Sequence, residues 1–114
     1  MAIKAAESNK AFRYATSFDM SSSTSLSLKF TSPTGIVTTL TDATTPAVTA
    51  PALAITDADL GALAASTYME FKTLATTFTE AGTWKVIAKY TDTVTNPDSI
   101  YIGDVVTFTV AAGF

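Results

Sequence analysis

Few residues in this chain have the types and spacing that chemistry needs. Asp57 and Asp59, two apart, resemble the opening of a calcium loop, where alternating carboxylates converge on one cation. That loop's glycine would then fall on Ala62 and its bidentate glutamate on Tyr68, so the template fails. Acids in the first turn of a helix, favoured by the helix dipole, account for the pair more simply. Asp92, Asn96 and Asp98 could hold a cation in a loop between strands, but Asx side chains bonding nearby backbone N–H groups give the simpler account. Ser25, Ser27 and Lys29 carry the residue types of a Ser–Lys dyad, yet alternation sets all three on the outward face of one strand. There is no Cys and no His. Disulfides, thiol nucleophiles, His-based acid–base chemistry and Cys or His metal sites are therefore excluded. With no glycine-rich phosphate loop either, the expectation is a non-enzymatic protein without metal or cofactor.

Composition bounds the rest. At 114 residues the chain makes one domain with one modest core. Hydrophobic residues are 47% and charged residues 15%, too apolar a mixture to stay disordered. Twenty-two Thr, ten Ser and nineteen Ala against five Gly lean towards β-structure. No apolar run reaches the roughly 18–20 residues of a membrane helix, so no membrane partner is expected. The net charge is −3, and Lys4, Lys10, Arg13, Lys29, Lys72, Lys85 and Lys89 stand singly. Nucleic-acid binders carry a basic stripe, so no nucleic-acid partner is expected. Residues 1–9 lack the apolar segment of a signal peptide, which points to folding in a cytoplasm.

The elements that must position these residues read mostly as strands. Residues 1–11 form an N-terminal arm, either flexible or strand-forming, ahead of a domain spanning 12–114. Phe12, Tyr14 and Phe18 anchor the first ordered stretch. Residues 24–30 alternate, with Leu26, Leu28 and Phe30 on one face and Ser25, Ser27 and Lys29 on the other. Ser32-Pro33-Thr34-Gly35 is a turn, and residues 36–40 return as the hairpin partner. Residues 41–51, with Pro46 and Pro51, form a loop or edge. Leu53 and Ile55 lie on a short strand, and Thr56 N-caps one or two helical turns within 57–65. Further on, 68–74 alternates, 78–82 is a corner, and 83–90 sets Trp84, Val86, Ala88 and Tyr90 on one face. Residues 105–110 finish the chain with Val106, Phe108 and Val110 alternating against Thr. About seven short strands with turns between them predict an all-β, two-sheet sandwich of immunoglobulin-like type, a small barrel being the alternative.

Three segments, 25–35, 80–86 and 103–110, together resemble the small immunoglobulin-like virion proteins of tailed bacteriophages. In those a strand runs into a Lys-Pro-Ser-Gly turn, a corner reads Asp/Glu-Ala-Gly-Thr-Trp-Lys-Leu, and the last strand reads Gly-Glu-Thr-Val-Thr-Phe. The corner Glu80, Gly82 and Trp84 also resembles the corner before strand F of immunoglobulin domains, with Trp84 in the place of the tyrosine. The resemblance covers about two thirds of the chain and lapses between 41 and 67.

The resemblance implies a non-enzymatic virion structural protein, assembled in the host cytoplasm and present in many copies or as a homo-oligomer, whose partners are other virion proteins. Sheet edges and Thr-rich faces would dock it as a neck or tail adaptor; a capsid decoration protein is the alternative. Contacts between subunits are expected from the arm and from 41–67, through Met1, Ile3, Lys4, Val48, Leu53 and Ile55. A carbohydrate-binding module is the alternative of another class, and would need Trp84, Tyr68, Tyr90 or Tyr101 exposed.

Overall fold

The computed structural model describes residues 3–92 and 99–113. Ten strands and no helix are present among them: β1 (Ile3–Lys4), β2 (Ala11–Ala15), β3 (Ser23–Thr31), β4 (Val37–Thr41), β5 (Ile55–Asp57), β6 (Gly61–Leu63), β7 (Tyr68–Lys72), β8 (Gly82–Asp92), β9 (Ser99–Ile102) and β10 (Val106–Ala111). Three of the ten have only two or three residues, which is how the count rises above the seven expected.

The larger sheet runs β1-β10-β8-β3-β4. Strand β9 pairs with the end of β8 that lies beyond β10. All pairs are antiparallel except β1 with β10, where Ile3 lies opposite Val110 and Lys4 opposite Ala111. Strands β2 and β7 form a second, antiparallel sheet, extended by a bridge between Thr49 and Glu70. The two sheets meet over a cluster of rings. Phe12 of β2 touches Phe30 of β3 edge-on at 5.1 Å, Phe108 of β10 at 5.0 Å and Phe71 of β7 in a stack at 5.2 Å. The arrangement is all-β and sandwich-like.

Alternation decides which residues fill that core. Leu26, Leu28 and Phe30 of β3 are buried, as are Trp84, Val86, Ala88 and Tyr90 of β8, while Lys29, Lys85 and Lys89 face outward. On β10 the pattern holds at Val110, but Val106 is 43% exposed, and among the described residues β1 pairs with β10 only at Val110 and Ala111. Phe18, expected as an anchor, is exposed and lies against Tyr101.

The helical turn expected within 57–65 is absent, and a β-hairpin of β5 and β6 takes its place. Asp57 Oδ1 accepts from the backbone N–H groups of Asp59 and Leu60 at 2.9 and 3.0 Å. Those are the bonds a helix cap makes, but Gly61 then takes φ +79° and reverses the chain. The hairpin lies over the outside of the β2–β7 sheet, where Tyr68 Oη donates to the Leu53 carbonyl at 2.8 Å. For that reason Tyr68 is buried as fully as its inward neighbour Met69.

The described part of the N-terminal arm takes the strand-forming option. Ile3 is 2% exposed within the core cluster. Thr73, also buried, holds the following segment: its hydroxyl donates to the Glu7 carbonyl and accepts from the Lys10 N–H, both at 3.0 Å.

Candidate functional site

The chemistry-bearing residues do not converge. Asp57 pairs with Arg13, whose Nη1 lies 3.0 Å from its Oδ2, while Arg13 Nε donates to Glu70 Oε2 at 2.7 Å. Arg13 and Glu70 are opposite neighbours across β2 and β7, so the guanidinium rivets the β5–β6 hairpin onto the sheet beneath it. Burial alone would push the Asp57 carboxyl up. The hydrogen bond from Arg13, the Leu60 N–H and the Arg13 charge outweigh it and hold that carboxyl below its ordinary value. Arg13 in turn is raised, chiefly by its hydrogen bonds to Asp57 and Glu70.

Asp92, at the end of β8, accepts a hydrogen bond from Ser22 Oγ at 3.1 Å. Asn96 and Asp98 lie outside the described residues. Among the described residues no three acids gather in a way that could hold a metal ion. Ser25, Ser27 and Lys29 fall on the outward side of β3, as alternation required.

The corner is a built feature. Trp84 Nε1 donates to the Glu80 carbonyl at 2.9 Å, four residues upstream, with the indole 4% exposed and edge-on to Phe78. Glu80 Oε1 and Oε2 accept from Thr34 Oγ1 at 2.8 and 3.0 Å. Gly82 takes φ +131°, and a Cβ there would stand 2.9 Å from Pro33 Cγ. The Ser32–Gly35 turn and the Glu80–Trp84 corner, some fifty residues apart in sequence, are therefore one substructure. Ser32, itself buried, closes the turn by accepting the Ile36 N–H at 3.0 Å.

The expected contact residues divide. Lys4 and Leu53 are exposed and Ile55 is partly so. Ile3 and Val48 are 2% and 1% exposed and fill the chain's own core, so neither can reach a neighbour while the chain stays folded. Met1 lies outside the described residues.

Two surface features were not read from the sequence. Lys29, Lys85 and Lys89 form a triangle on the outer face of the large sheet, because Thr31 pairs with Lys85 and Ser27 with Lys89, setting Lys29 diagonally from both. No outward residue of β3, β8 or β10 is acidic. Between β2 and β10 a cavity of about 350 Å³ opens at the side of the sandwich, floored by Phe12, Val86 and Phe108 and rimmed by Arg13, Asp57 and Leu60.

The molecule is thus an all-β protein whose most organised feature is the joined turn and corner. Compared with known protein families, curated proteins and solved structures, the chain matches none.

Proposed function

We propose that this chain is a virion structural protein of a tailed bacteriophage, acting by docking rather than by catalysis. The observation that carries the proposal is the joined turn and corner. The segments whose order resembles that family are brought into contact through Gly82 on Pro33 and Thr34 on Glu80, and Trp84 bonds its own backbone where an immunoglobulin-type corner would use a tyrosine.

The strand order supports an immunoglobulin-like assignment. Strands β3, β8 and β10 pair as the C, F and G strands of such a sandwich, β4 adds outside β3, and β2 pairs with β7 as B does with E. Outer faces of Ser, Thr and Lys suit burial against a neighbouring protein.

A neck or tail adaptor is the preferred site, with capsid decoration as the alternative. A carbohydrate-binding module is less supported. Trp84, Tyr68 and Tyr90 are 4%, 1% and 6% exposed; of the four only Tyr101 is exposed, at 40%, and its ring is stacked on Tyr90 at 4.8 Å.

Immunogold electron microscopy of purified source particles tests this. Label at one vertex or along the tail fits the adaptor, and label over the whole head fits decoration. Particles free of label would remove the virion assignment.

A further inference from the structure

We propose that the free edge of β4 takes up an extended strand of a partner protein, one that alternates aliphatic side chains with carboxylates. The inference rests on the docking role proposed above, and it names the edge used and the chemistry of the strand that fits it.

The hydrogen bonds of β4 divide by parity. The Asp42 N–H donates to the Leu26 carbonyl at 3.2 Å, and the Ser32 N–H donates to the Ile36 carbonyl at 2.9 Å. In the register of β3 on β4 the hydrogen-bonded positions are therefore the even-numbered ones, and the N–H and C=O groups of Val37, Thr39 and Thr41 point away from β3. The chain caps its own edge at Thr41, whose N–H donates to Thr44 Oγ1 at 3.0 Å and whose carbonyl accepts from the Val48 N–H at 3.0 Å. Val37 and Thr39 find no such partner among the described residues, and β4 pairs with no strand but β3. Four backbone groups thus stand free on a strand without charge or proline, the usual guards of an edge. Residues 3–92 are all described, β4 and its neighbours β3 and β8 included.

The two sides of this edge set the chemistry of what pairs with it. On the inner side, where Thr38 lies opposite Phe30, a cavity of about 180 Å³ is lined by the buried Phe30 and Leu40 together with Thr38, Pro46 and Thr76. A cavity of roughly 150 Å³ holds a benzene-sized group, so one Leu, Ile or Phe side chain fills this one. On the outer side Lys29 stands directly opposite Thr39, backed by Lys85 and Lys89 on β8. No outward residue of β3, β4 or β8 is a carboxylate, and the three lysines make no ion pair among the described residues. Strands in a sheet lie about 4.8 Å apart, so an added strand runs about 10 Å from the Lys29 backbone, a gap that a lysine and a glutamate side chain bridge. Asp42, the carboxylate next along the chain, follows Thr41 at the end already capped. Alternation lets one strand meet every demand, with backbone bonds to Val37 and Thr39, an aliphatic side chain inward and carboxylates outward.

The test is a titration of the isotope-labelled full chain with a blocked peptide, acetyl-Thr-Val-Glu-Leu-Glu-Val-Thr-amide, followed by amide NMR. Saturable shifts are expected at Val37, Thr39, Thr76 and Thr77, and hydrogen exchange at the Val37 and Thr39 amides, fast in the free chain, should slow on binding. Exchanging the peptide's Leu for Gly should weaken binding about tenfold or more, since a buried aliphatic side chain is lost. Exchanging both Glu for Lys should weaken it too, by a margin that shrinks as salt is raised. Thr39→Pro removes an outward N–H without touching the ladder to β3, and should abolish the shifts with Trp84 emission unchanged. The peptide exchanges leave the protein as it is, so the test stands even where Thr39→Pro disturbs the fold. No saturable shift at millimolar peptide, shifts centred away from β4, or binding that survives Thr39→Pro overturns the inference. Equal binding of the Gly or Lys peptides overturns the strand chemistry. A dimer of the full chain in light scattering that Thr39→Pro breaks would give the edge to a second copy, and overturns it as well. These readings are independent of where gold label falls on particles, so failure here and failure of the virion assignment are told apart.

Discussion

Replacing Gly82 with Ala tests whether the corner is held by backbone geometry and close approach together. At φ +131° an L-residue is strained by roughly 1–3 kcal/mol. The new Cβ would also lie 2.9 Å from Pro33 Cγ and 3.2 Å from Pro33 Cβ, and forcing such overpacking costs roughly another 1–3 kcal/mol. Gly35 separates the two effects, because its φ is +91° but nothing lies within 4 Å of its virtual Cβ. We expect Gly82→Ala to cost about 4 kcal/mol and Gly35→Ala about 2 kcal/mol. With a urea slope of about 2 kcal/mol per molar, the midpoints fall by about 2 M and about 1 M. The assay is urea unfolding followed by the fluorescence of Trp84, the only tryptophan, with circular dichroism as the second probe. Adding Pro33→Ala to Gly82→Ala removes the nearer atom and should recover about 1 kcal/mol as a coupling energy. Equal midpoint shifts for the two glycine variants would refute the close-approach argument, and so would a double variant with no coupling.

Three further outcomes are expected. Thr73→Val keeps the shape of a side chain 1% exposed but leaves the Glu7 carbonyl and the Lys10 N–H without their partner; it should cost about 1–3 kcal/mol, and hydrogen exchange should quicken at the Lys10 amide before the rest of the core. Phe12→Ala empties the centre of the ring cluster and should cost about 3–5 kcal/mol in urea unfolding, without altering the register of β2 on β7 as read by amide exchange. Because the folded Asp57 carboxyl titrates below its ordinary value of 3.8, its stabilisation is present above that value and is lost as pH falls through the lower folded one. Asp57→Asn should cost about 2 kcal/mol at neutral pH, and stability measured from pH 5 downwards should fall less steeply in the variant than in the wild type.

The long strands were legible because one face of each is buried and the other is wet. Period-two alternation in β3 and β8 picked out Leu26, Leu28, Phe30, Trp84, Val86, Ala88 and Tyr90, and all seven are in the core. The same rule passed over Tyr68, which points away from the inter-sheet core but is covered by the segment around Leu53. Periodicity describes one strand and says nothing of what crosses over it. The hairpin at 55–63 was read as a helix for a chemical reason. A side-chain oxygen taking the N–H groups two and three residues on is common to helix caps and Asx turns, and only the left-handed Gly61 separates them.

The corner residues Glu80, Gly82 and Trp84 were picked from sequence, but their contact with Pro33 and Thr34 was not, since no local pattern reports a meeting across some fifty residues. Ile3 and Val48 were misread as contact residues for the opposite reason. Each lies in a segment expected to contact neighbours, the arm or 41–67, and each is buried in the chain's own core, Ile3 opposite Val110. Arg13 and Thr73 left no signal at all, because a lone arginine or threonine in a strand is ordinary until its partners are known.

The pairing scheme also bears on how the chain comes into being. Among the described residues three of its ladders, β3 with β4, β5 with β6 and β8 with β9, join strands that leave a ribosome one after the other, and the third comes late. Strand β2 must wait for β7 and β3 for β8, while β1 cannot pair until β10, the last of the ten, has been made. Contacts so distant in sequence make for slow, late closure, on the millisecond-to-second scale of non-local β-proteins. During that interval Phe12, Leu28 and Phe30 are made but unsheltered. A nascent chain of this kind is exposed to aggregation for most of its synthesis, and the β3–β4 and β5–β6 hairpins are the shelter it can build early.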